Sequence, residues 1–239
     1  MFSKIALAKM IDHSMLRADA TESDVIQFCE QAHYYHFAAV VVFPYWVPVA
    51  YRALRGSDIK LCTVIAFPFG CVSTACKVHE ARQAISNRAA EIDMVINLGA
   101  LKSGNYDQVF KDIEEVVTVA KLAGLTEDGE DILTKIIIET GFTTREEQER
   151  ICHMAEEVRA DFIKTSTGFG PRGATVEDIR FLRQVCGREM GIKAAGGIRS
   201  YDHAMALLHA GANRIGTSTG VAIVEAFDRA EAVASEVSE

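Results

Sequence analysis

The chain has 239 residues, of which 49% are hydrophobic, and its formal net charge is −8. This length is enough to bury a substantial core in one α/β barrel or in two small domains. The acidic balance and the scattered lysines and arginines argue against a nucleic-acid-binding surface, because neutralising a phosphate backbone requires clustered cations.

The sequence predicts neither secretion nor membrane insertion. The first residues, MFSKIALAKMIDHS, are too weakly apolar for a signal peptide. The most apolar stretch, FAAVVVFPYWVPVAY, is shorter than a bilayer span and contains two prolines. We therefore expect a cytoplasmic protein with no membrane partner.

The six cysteines and seven histidines are spread along the chain without the spacing of a metal site. No CxxC pair occurs, and His33 and His36 have no carboxylate or thiol partner at ligand spacing. We therefore expect reduced thiols, no disulfide scaffold and no metal ion.

Short apolar or β-branched runs recur along the chain and predict eight strands. In chain order they are KMIDH, FAAVVVF, KLCTVIAF, EIDMVI, LTKIIIE, DFIKT, GIKAA and NRIGT. Amphipathic segments with helical spacing lie between them, among them ESDVIQFCEQAHYY, NYDQVFKDIEEVVTVAKLA and TREEQERICHMAEEV. Such alternation requires parallel strands joined by right-handed crossovers. The pattern predicts a (β/α)8 TIM barrel with a short N-terminal helix, a single domain over residues 1–239.

In this fold the active site lies at the carboxyl ends of the strands. Several charged or hydroxyl groups fall near those ends in the predicted strands: Asp12, Asp93, Glu139, Lys164, Lys193 and the segment GTSTG. Such a set would be a poor choice for a purely structural layer.

Two lysines end adjacent predicted strands, Lys164 in DFIKTSTG and Lys193 in GIKAAGG, and we expect them to be neighbours. A lysine attacks a carbonyl only when neutral, so a nucleophilic lysine needs burial or a nearby cation to lower its pKa from about 10.4. The pair therefore predicts a Schiff-base nucleophile and its activator. The alternative is that each lysine reaches solvent or pairs with a carboxylate.

Carboxylates accompany these lysines. Asp93 interrupts the apolar strand EIDMVI and could move protons in Schiff-base chemistry, or simply balance the lysine charges. Asp12 and Ser14 in MIDHSML add a second carboxylate and a hydroxyl to the same rim, unless Asp12 only caps a helix.

The last two predicted strands end in GIKAAGGIRS and GANRIGTSTG, which predict an anion site. Gly196 and Gly197 let the backbone approach a ligand, while Ser218 and Thr219 offer hydroxyls and N–H groups at the usual phosphate position of this fold. The alternative is that the glycines serve only tight turns.

The chain resembles the 2-deoxyribose-5-phosphate aldolase family of class I, Schiff-base aldolases. The motifs that carry this resemblance follow the family order: MIDHSML, VVFPYWVPVA, CTVIAFPFG, EIDMVINLGALKSG, KIIIETG, DFIKTSTGF, KAAGGIR and GANRIGTS. The resemblance implies a TIM barrel that reversibly cleaves 2-deoxy-D-ribose 5-phosphate to acetaldehyde and D-glyceraldehyde 3-phosphate. It also implies a homo-oligomer, a dimer or tetramer, that needs no cofactor.

The resemblance implies a role for each matching residue. Lys164 forms the Schiff base, Lys193 lowers the pKa of Lys164 and joins the proton relay, and Asp93 gives and accepts protons. The implied substrate-binding residues are Asp12, Ser14, Thr165, Gly168, Gly196, Gly197, Ser218 and Thr219. Within this set Asp12 meets the sugar hydroxyls, and the phosphate lies against the glycines and Ser218.

Some positions depart from the family pattern. Val41 stands where many members have cysteine, Phe43 where a polar residue is frequent, and Ser14 where threonine is usual. The acidic stretch LTEDGED is expected to form a surface loop, and the final segment EAVASEVSE lacks a terminal tyrosine that some members place near the site. Two alternatives remain: a Schiff-base aldolase for a different aldehyde pair, and a phosphosugar-binding barrel without turnover.

Overall fold

The eight predicted strands are all present and form a closed parallel barrel. The computed structural model describes residues 3–126 and 128–236, with side chains to residue 228. The strands are β1 (Ile11–Met15), β2 (Ala39–Val42), β3 (Lys60–Ile65), β4 (Glu91–Val95), β5 (Leu133–Ile137), β6 (Phe162–Lys164), β7 (Gly191–Ala195) and β8 (Arg214–Thr217). Each strand pairs with the next, and β8 closes on β1. The TIM-barrel prediction is confirmed.

Helices connect the strands around the outside of the barrel. They are α1 (Lys4–Ala8), α2 (Glu22–Tyr35), α3 (Val47–Leu54), α4 (Thr74–Ser86), α5 (Leu98–Lys102), α6 (Tyr106–Leu122), α7 (Arg145–Glu157), α8 (Val176–Val185), α9 (Tyr201–His209) and α10 (Gly220–Glu236). The short N-terminal helix is therefore present as α1. Helices α3 and α5 were not predicted from the sequence.

Helix α3 follows a 3-10 turn, Pro44–Trp46, within a stretch that the sequence analysis described only as apolar and broken by two prolines. Pro48 lies in the first turn of α3, where the missing N–H would have no intrahelical partner in any case. A proline there begins a helix instead of ending one.

Polar caps fix where the longer helices begin. The Thr21 hydroxyl accepts the Asp24 N–H while the Asp24 carboxylate accepts the Thr21 N–H, and Thr144 and Glu147 form the same reciprocal pair at α7. Each such cap contributes about 1 kcal/mol to helix stability. The caps lie in the loops that follow β1 and β5 and so fix the path of the chain after those strands.

The main core lies between the barrel and its helices, and the interior of the barrel is different. Alternate residues of β2 and β3 face inward and form a small apolar cluster of Ala39, Val41, Cys62 and Val64, with Leu16, Phe43 and Phe67 packed against it. Beside this cluster the interior holds fully buried charges on the other strands. Buried charges of this kind must be paired, and their pairing defines the candidate site.

The described residues of the acidic stretch before β5, 125–126 and 128–131, lie in a loop, as expected. Asp128 and Glu130 are exposed there, and both pair with Lys60 at the start of β3. The side chains of the final segment, including the position of the tyrosine that some family members carry, lie outside the described residues. Among the helices that the structure describes, none is long and apolar enough to cross a bilayer.

Candidate active site

Lys164 and Lys193 are direct neighbours. They are register partners on the parallel strands β6 and β7, so their side chains lie on the same face of the sheet. The Lys164 Nζ lies 2.8 Å from Asp93 Oδ2, and the Lys193 Nζ lies 2.7 Å from the same oxygen. The three residues predicted to be catalytic therefore meet at one carboxylate oxygen.

A third lysine, Lys135, holds the other oxygen of the same carboxylate. It is the register partner of Asp93 on β5, and its Nζ lies 3.0 Å from Asp93 Oδ1 and 2.5 Å from Glu91 Oε2. The sequence analysis did not identify Lys135. The available signal was a lysine in the middle of the apolar run LTKIIIE, since a buried lysine needs a paired carboxylate.

Asp12 lies inside the barrel and not at its rim, which corrects the sequence-based expectation. Strand β1 continues to Met15, so Asp12 is fully buried below the strand end and caps no helix. Its Oδ2 lies 2.6 Å from the Lys193 Nζ, and its Oδ1 accepts a 2.6 Å hydrogen bond from Arg214. Arg214 also contacts Glu91 at 3.2 Å. Asp12 is thus a partner of Lys193 and lies away from the cavity described below.

The surroundings of Lys164 and Lys193 shift their pKa values in opposite directions. Burial lowers the pKa of Lys164, and the charge of Lys193 lowers it further, against the opposing effect of Asp93. Burial also acts to lower the pKa of Lys193, but the carboxylates of Asp12 and Asp93 outweigh it and raise that pKa. The amine of Lys164 is therefore the one that loses its proton first.

Asp93 remains ionised despite complete burial. Burial alone would raise its pKa, but Lys135, Lys164 and Lys193 together hold the pKa of this carboxyl well below its usual range. Asp93 and Glu91 in turn outweigh burial at Lys135 and raise its pKa well above the usual value.

A charge count over this network agrees with the lowered pKa of Lys164, because one of its four cations is in excess. The carboxylates are Asp12, Glu91 and Asp93, and the cations in contact with them are Lys135, Lys164, Lys193 and Arg214. Three negative charges are balanced by three positive ones when Lys164 is neutral. In a buried site an unbalanced charge is costly, so the network favours the free amine at Lys164.

A cavity of about 480 Å³ opens above Lys164 at the carboxyl ends of the strands. Its lining includes five of the predicted substrate-binding residues, Ser14, Gly168, Gly196, Gly197 and Ser218. Three predicted residues do not line it: Asp12, Thr165 and Thr219. The Thr165 hydroxyl is fully buried and donates to the Ala195 carbonyl, while the Thr219 N–H donates to Thr217 Oγ1, because both threonines complete the turns after their strands.

Glycine allows two loops to meet on one side of the cavity. Gly168, Gly196 and Gly197 all have positive φ, at 91°, 90° and 71°. A Cβ on Gly196 would lie 3.1 Å from the Gly173 Cα and 3.3 Å from the Ser166 Cβ. The residue type is therefore required both for the turn and for the close approach of the backbone. The surface formed by Gly168, Gly196 and Gly197, the glycine wall, presents backbone groups to the cavity.

Two arginines that the sequence analysis missed also line the cavity, Arg17 and Arg199. Arg199 directly follows the Gly-Gly-Ile turn after β7, and Arg17 pairs with Asp24 at 2.6 Å. Both arginines bring positive charge to the lining of the cavity, and Arg199 lies next to the glycines of the turn after β7. Their positions, two residues beyond the end of β1 and four beyond the end of β7, were the available signal.

Apolar side chains also lie near Lys164. The Lys164 Nζ lies 5.9 Å from the centre of the Phe67 ring, and Phe67 packs edge-on against Phe43 and Phe169. Val41, one of the positions that depart from the family pattern, is buried in the apolar cluster next to these rings. The Phe67 ring is thus part of the surroundings in which Lys164 is buried, and burial lowers the pKa of this lysine.

Comparison with known proteins assigns the chain to a family. A profile described as DeoC/LacD family aldolase matches residues 6–226. The chain belongs to this family. A curated deoxyribose-phosphate aldolase from Thermococcus gammatolerans is 53% identical over 227 residues, which cover 94% of this chain and 98% of that protein. The deoxyribose-phosphate aldolase of Thermoanaerobacter sp. strain X514 is 48% identical over 93% of this chain and 97% of its own length.

Solved structures agree with this membership. A putative deoxyribose-phosphate aldolase from Coccidioides immitis superposes with a TM-score of 0.88 at 37% identity, covering 95% of this chain and 87% of the other. The deoxyribose phosphate aldolase from Aeropyrum pernix, described as a unique tetramer, superposes with a TM-score of 0.86 at 31% identity over 95% and 92% of the two chains. The family resemblance that the sequence motifs indicated is therefore confirmed.

Proposed function

We propose that this protein is a deoxyribose-phosphate aldolase, an aldehyde-lyase that reversibly cleaves 2-deoxy-D-ribose 5-phosphate to acetaldehyde and D-glyceraldehyde 3-phosphate. The observation that carries the proposal is the contact of Lys164 and Lys193 with one oxygen of Asp93 at the base of an open cavity. The names of relatives about half identical to this chain over nearly its whole length support the same activity.

The first half of the reaction follows from the state of the lysines. The free amine of Lys164 attacks the C1 carbonyl of the open-chain sugar, and the oxygen takes up a proton to give a carbinolamine. Lys193 gives a proton to the departing hydroxyl, and Asp93, which contacts both lysines, passes a proton from the Lys164 nitrogen back to Lys193, so that water leaves and a protonated imine remains on Lys164. Lys193 ends the step as a cation because Asp12 and Asp93 raise its pKa.

The imine then draws electrons from the C2–C3 bond. The C3 hydroxyl gives its proton to a base, the bond breaks, and D-glyceraldehyde 3-phosphate leaves while C1 and C2 stay on Lys164 as an enamine. Protonation of C2 and addition of water release acetaldehyde and restore the amine. Asp93 is hydrogen-bonded to Lys164 Nζ, which supports its role in moving these protons.

The glycine wall is the proposed phosphate site. Gly168, Gly196, Gly197 and Ser218 provide backbone N–H groups and a hydroxyl, and Arg199 adds charge at the same end of the cavity. Ser14 lines the cavity on the β1 side and is available to the sugar hydroxyls. For Asp12 we propose a role through Lys193 and not through direct contact with the sugar, because Asp12 is fully buried.

Covalent trapping tests the proposal. Borohydride added with 2-deoxyribose 5-phosphate is expected to reduce the imine and leave a two-carbon adduct on Lys164, with complete loss of activity. Lys164→Met should give neither adduct nor acetaldehyde, and the exposed Lys111→Met should behave as the wild type. A chelator should leave the rate unchanged. An adduct on another residue, or loss of activity with the chelator, would contradict the mechanism.

The same assay separates the alternatives. A phosphosugar-binding barrel without turnover would bind the sugar and release no acetaldehyde. An aldolase for a different aldehyde pair would be trapped on Lys164 by another carbonyl compound more readily than by acetaldehyde. The ionised network around Asp93 favours turnover over binding alone, since sugar binding does not require a lysine with a lowered pKa.

We further propose that residues 1–239 form one aldolase domain that assembles as a homodimer or homotetramer and takes only small-molecule phosphosugar and aldehyde substrates. The tetrameric description of the Aeropyrum pernix relative supports oligomerisation, which sedimentation measurements would test. We place the enzyme in the cytoplasm, where its free cysteines stay reduced.

A further inference from the structure

We propose that Glu139 is a positioning residue that fixes the turn at Thr167–Gly168, and that it thereby sets the affinity for the phosphate of the substrate. This inference rests on the proposed function and extends it to a residue outside the cavity. The role predicted for Glu139 is confined to phosphate binding and leaves the carbonyl chemistry at Lys164 unaffected.

One carboxylate oxygen of Glu139 organises the loop after β6. Glu139 Oε2 accepts hydrogen bonds from both the Thr167 N–H, at 3.0 Å, and the Thr167 hydroxyl. The same hydroxyl oxygen accepts the Phe169 N–H at 3.0 Å, since a threonine hydroxyl can donate and accept at once. Glu139 therefore holds the residues on both sides of Gly168.

These bonds leave one N–H in the turn available. Thr167 N–H is taken by Glu139, and Phe169 N–H is taken by the Thr167 hydroxyl. Gly168 N–H donates to no acceptor in the part of the chain that the structure describes. Gly168 lines the cavity together with Thr167 and Lys164. A free N–H held in place by its two neighbours is the kind of group that binds a phosphate oxygen.

The backbone of Glu139, which positions this carboxylate, has an unfavourable conformation. Glu139 has φ of +47°, in the left-handed region that residues with a Cβ rarely adopt. The side chain is 2% exposed, and a Cβ on Gly170 would lie 2.7 Å from its carboxyl carbon. Strain of this kind persists where the surrounding structure enforces it, and it concentrates at functional sites.

A role in stability alone explains the Glu139 carboxylate less well than a role at the cavity. Glu139 Oε1 is buried and has no hydrogen-bond partner among the described residues, which costs stability. The Lys164 Nζ is hydrogen-bonded to Asp93, and among the described residues no hydrogen bond or ion pair joins the Glu139 side chain to Lys164, Lys193 or Asp93. Glu139 therefore acts on the β6 loop and not on the Schiff-base network.

Two variants test this role against two substrates. Thr167→Val removes the hydroxyl that links Glu139 to Phe169, and Glu139→Gln keeps an acceptor oxygen but removes the charge. For Thr167→Val we expect KM for 2-deoxyribose 5-phosphate and the inhibition constant of inorganic phosphate to rise by at least about tenfold, as expected for loss of a hydrogen bond to a charged group. Glu139→Gln should give a smaller rise. For Glu139→Gln, which changes no residue of the cavity lining, the kcat/KM for unphosphorylated 2-deoxyribose should stay within about twofold of the wild type.

Glu147→Gln is the matched control, because it makes the same chemical change at a carboxylate that caps α7 outside the site. Its KM for 2-deoxyribose 5-phosphate and its kcat/KM for unphosphorylated 2-deoxyribose should equal those of the wild type. Equal losses for the phosphorylated and unphosphorylated sugars, or unchanged phosphate inhibition, would overturn the role of Glu139. If Thr167→Val does not fold, as judged by circular dichroism, Glu139→Gln decides by the same comparison.

Trapping of acetaldehyde on Lys164 by borohydride distinguishes this inference from the proposed function, because acetaldehyde carries no phosphate. A wild-type protein that forms no adduct would contradict the proposed function. A wild-type protein that forms the adduct, with phosphate inhibition unchanged in both variants, would contradict only the role of Glu139.

Discussion

At the scale of single residues, the site depends on which of several buried lysines gives up its proton. Lys164 and Lys193 lie side by side, yet their pKa values move in opposite directions. Among the described residues Lys193 has two carboxylate partners, Asp12 and Asp93, while Lys164 has one, Asp93. The sequence predicted that the two lysines would be neighbours. It did not indicate which carboxylates each would meet, because those contacts cross the barrel between strands far apart in the chain.

Replacement of Lys193 tests this interpretation. Lys193→Leu removes the cation that lowers the pKa of Lys164, so that pKa should rise and less free amine should be present at neutral pH. The acidic limb of the pH profile of kcat/KM should move to higher pH, and each unit of that shift lowers the rate at neutral pH about tenfold. The exposed Lys102→Leu should retain the wild-type profile. An unchanged acidic limb in Lys193→Leu would rule out this role.

At the scale of elements, the space for Lys193 is provided by the neighbouring strand. Gly216 on β8 lies beside the Lys193 side chain, and a Cβ there would come within 3.0 Å of both Lys193 Cε and Ala195 Cβ. The run NRIGT predicted the strand correctly. The reason for glycine at this position appears only when β7 and β8 are packed together, since Gly216 pairs with Ala195 across the sheet.

We predict that Gly216→Ala displaces Lys193 and lowers kcat by about tenfold or more, since small displacements of catalytic groups have large effects on rate. Steady-state kinetics and the melting temperature would be measured together. Gly99→Ala in α5 is the control, because its nearest contact would be an ordinary 3.5 Å to Asn97 Oδ1. The control should keep full activity and gain up to about 1 kcal/mol of stability. Equal activity in the two variants would show that the Lys193 position tolerates the added methyl group.

Element boundaries set the depth of each side chain, and there the sequence was least informative. Asp12 was expected at the rim, but β1 extends three residues past it to Met15 and buries it within the barrel. Helix α3 was missed because its two neighbouring prolines suggested a break. Pairing with β2 as far as Met15 decides where β1 ends, whereas α3 begins at a proline in its own first turn.

At the scale of the whole molecule, the buried charge network links stability to pH. Asp12 and Asp93 have lowered pKa values, so their contribution is complete above the unfolded value near 4 and is lost as the pH falls through the folded values. Lys135 and Lys193 have raised pKa values, so their contribution is complete below about 10.4 and is lost as the pH rises above it. The contribution of these four groups to the free energy of unfolding is therefore complete between about pH 4 and pH 10.

We predict that the free energy of unfolding in urea falls as the pH drops below about 4, with up to about 1.4 kcal/mol per pH unit from each of the two aspartates. Asp12→Asn should unfold about 3–5 kcal/mol more easily at neutral pH, because Lys193 and Arg214 lose a partner, and should show a shallower acid dependence. The exposed Asp19→Asn should match the wild type at every pH. Identical acid dependence in Asp12→Asn and the wild type would exclude this contribution.

The sequence by itself determined the alternation of eight strands with helices, the family, and the positions of Lys164, Lys193, Asp93 and most of the glycine wall. These features depend on local periodicity and on short motifs, which are readable along the chain. Only the tertiary structure decided that Lys135, Glu91 and Arg214 complete the charge network, that Asp12 lies behind Lys193, and that Glu139 holds the loop after β6. Closure of the barrel brings residues more than a hundred positions apart within hydrogen-bonding distance, and the free energy of those contacts depends on burial, which local sequence does not specify.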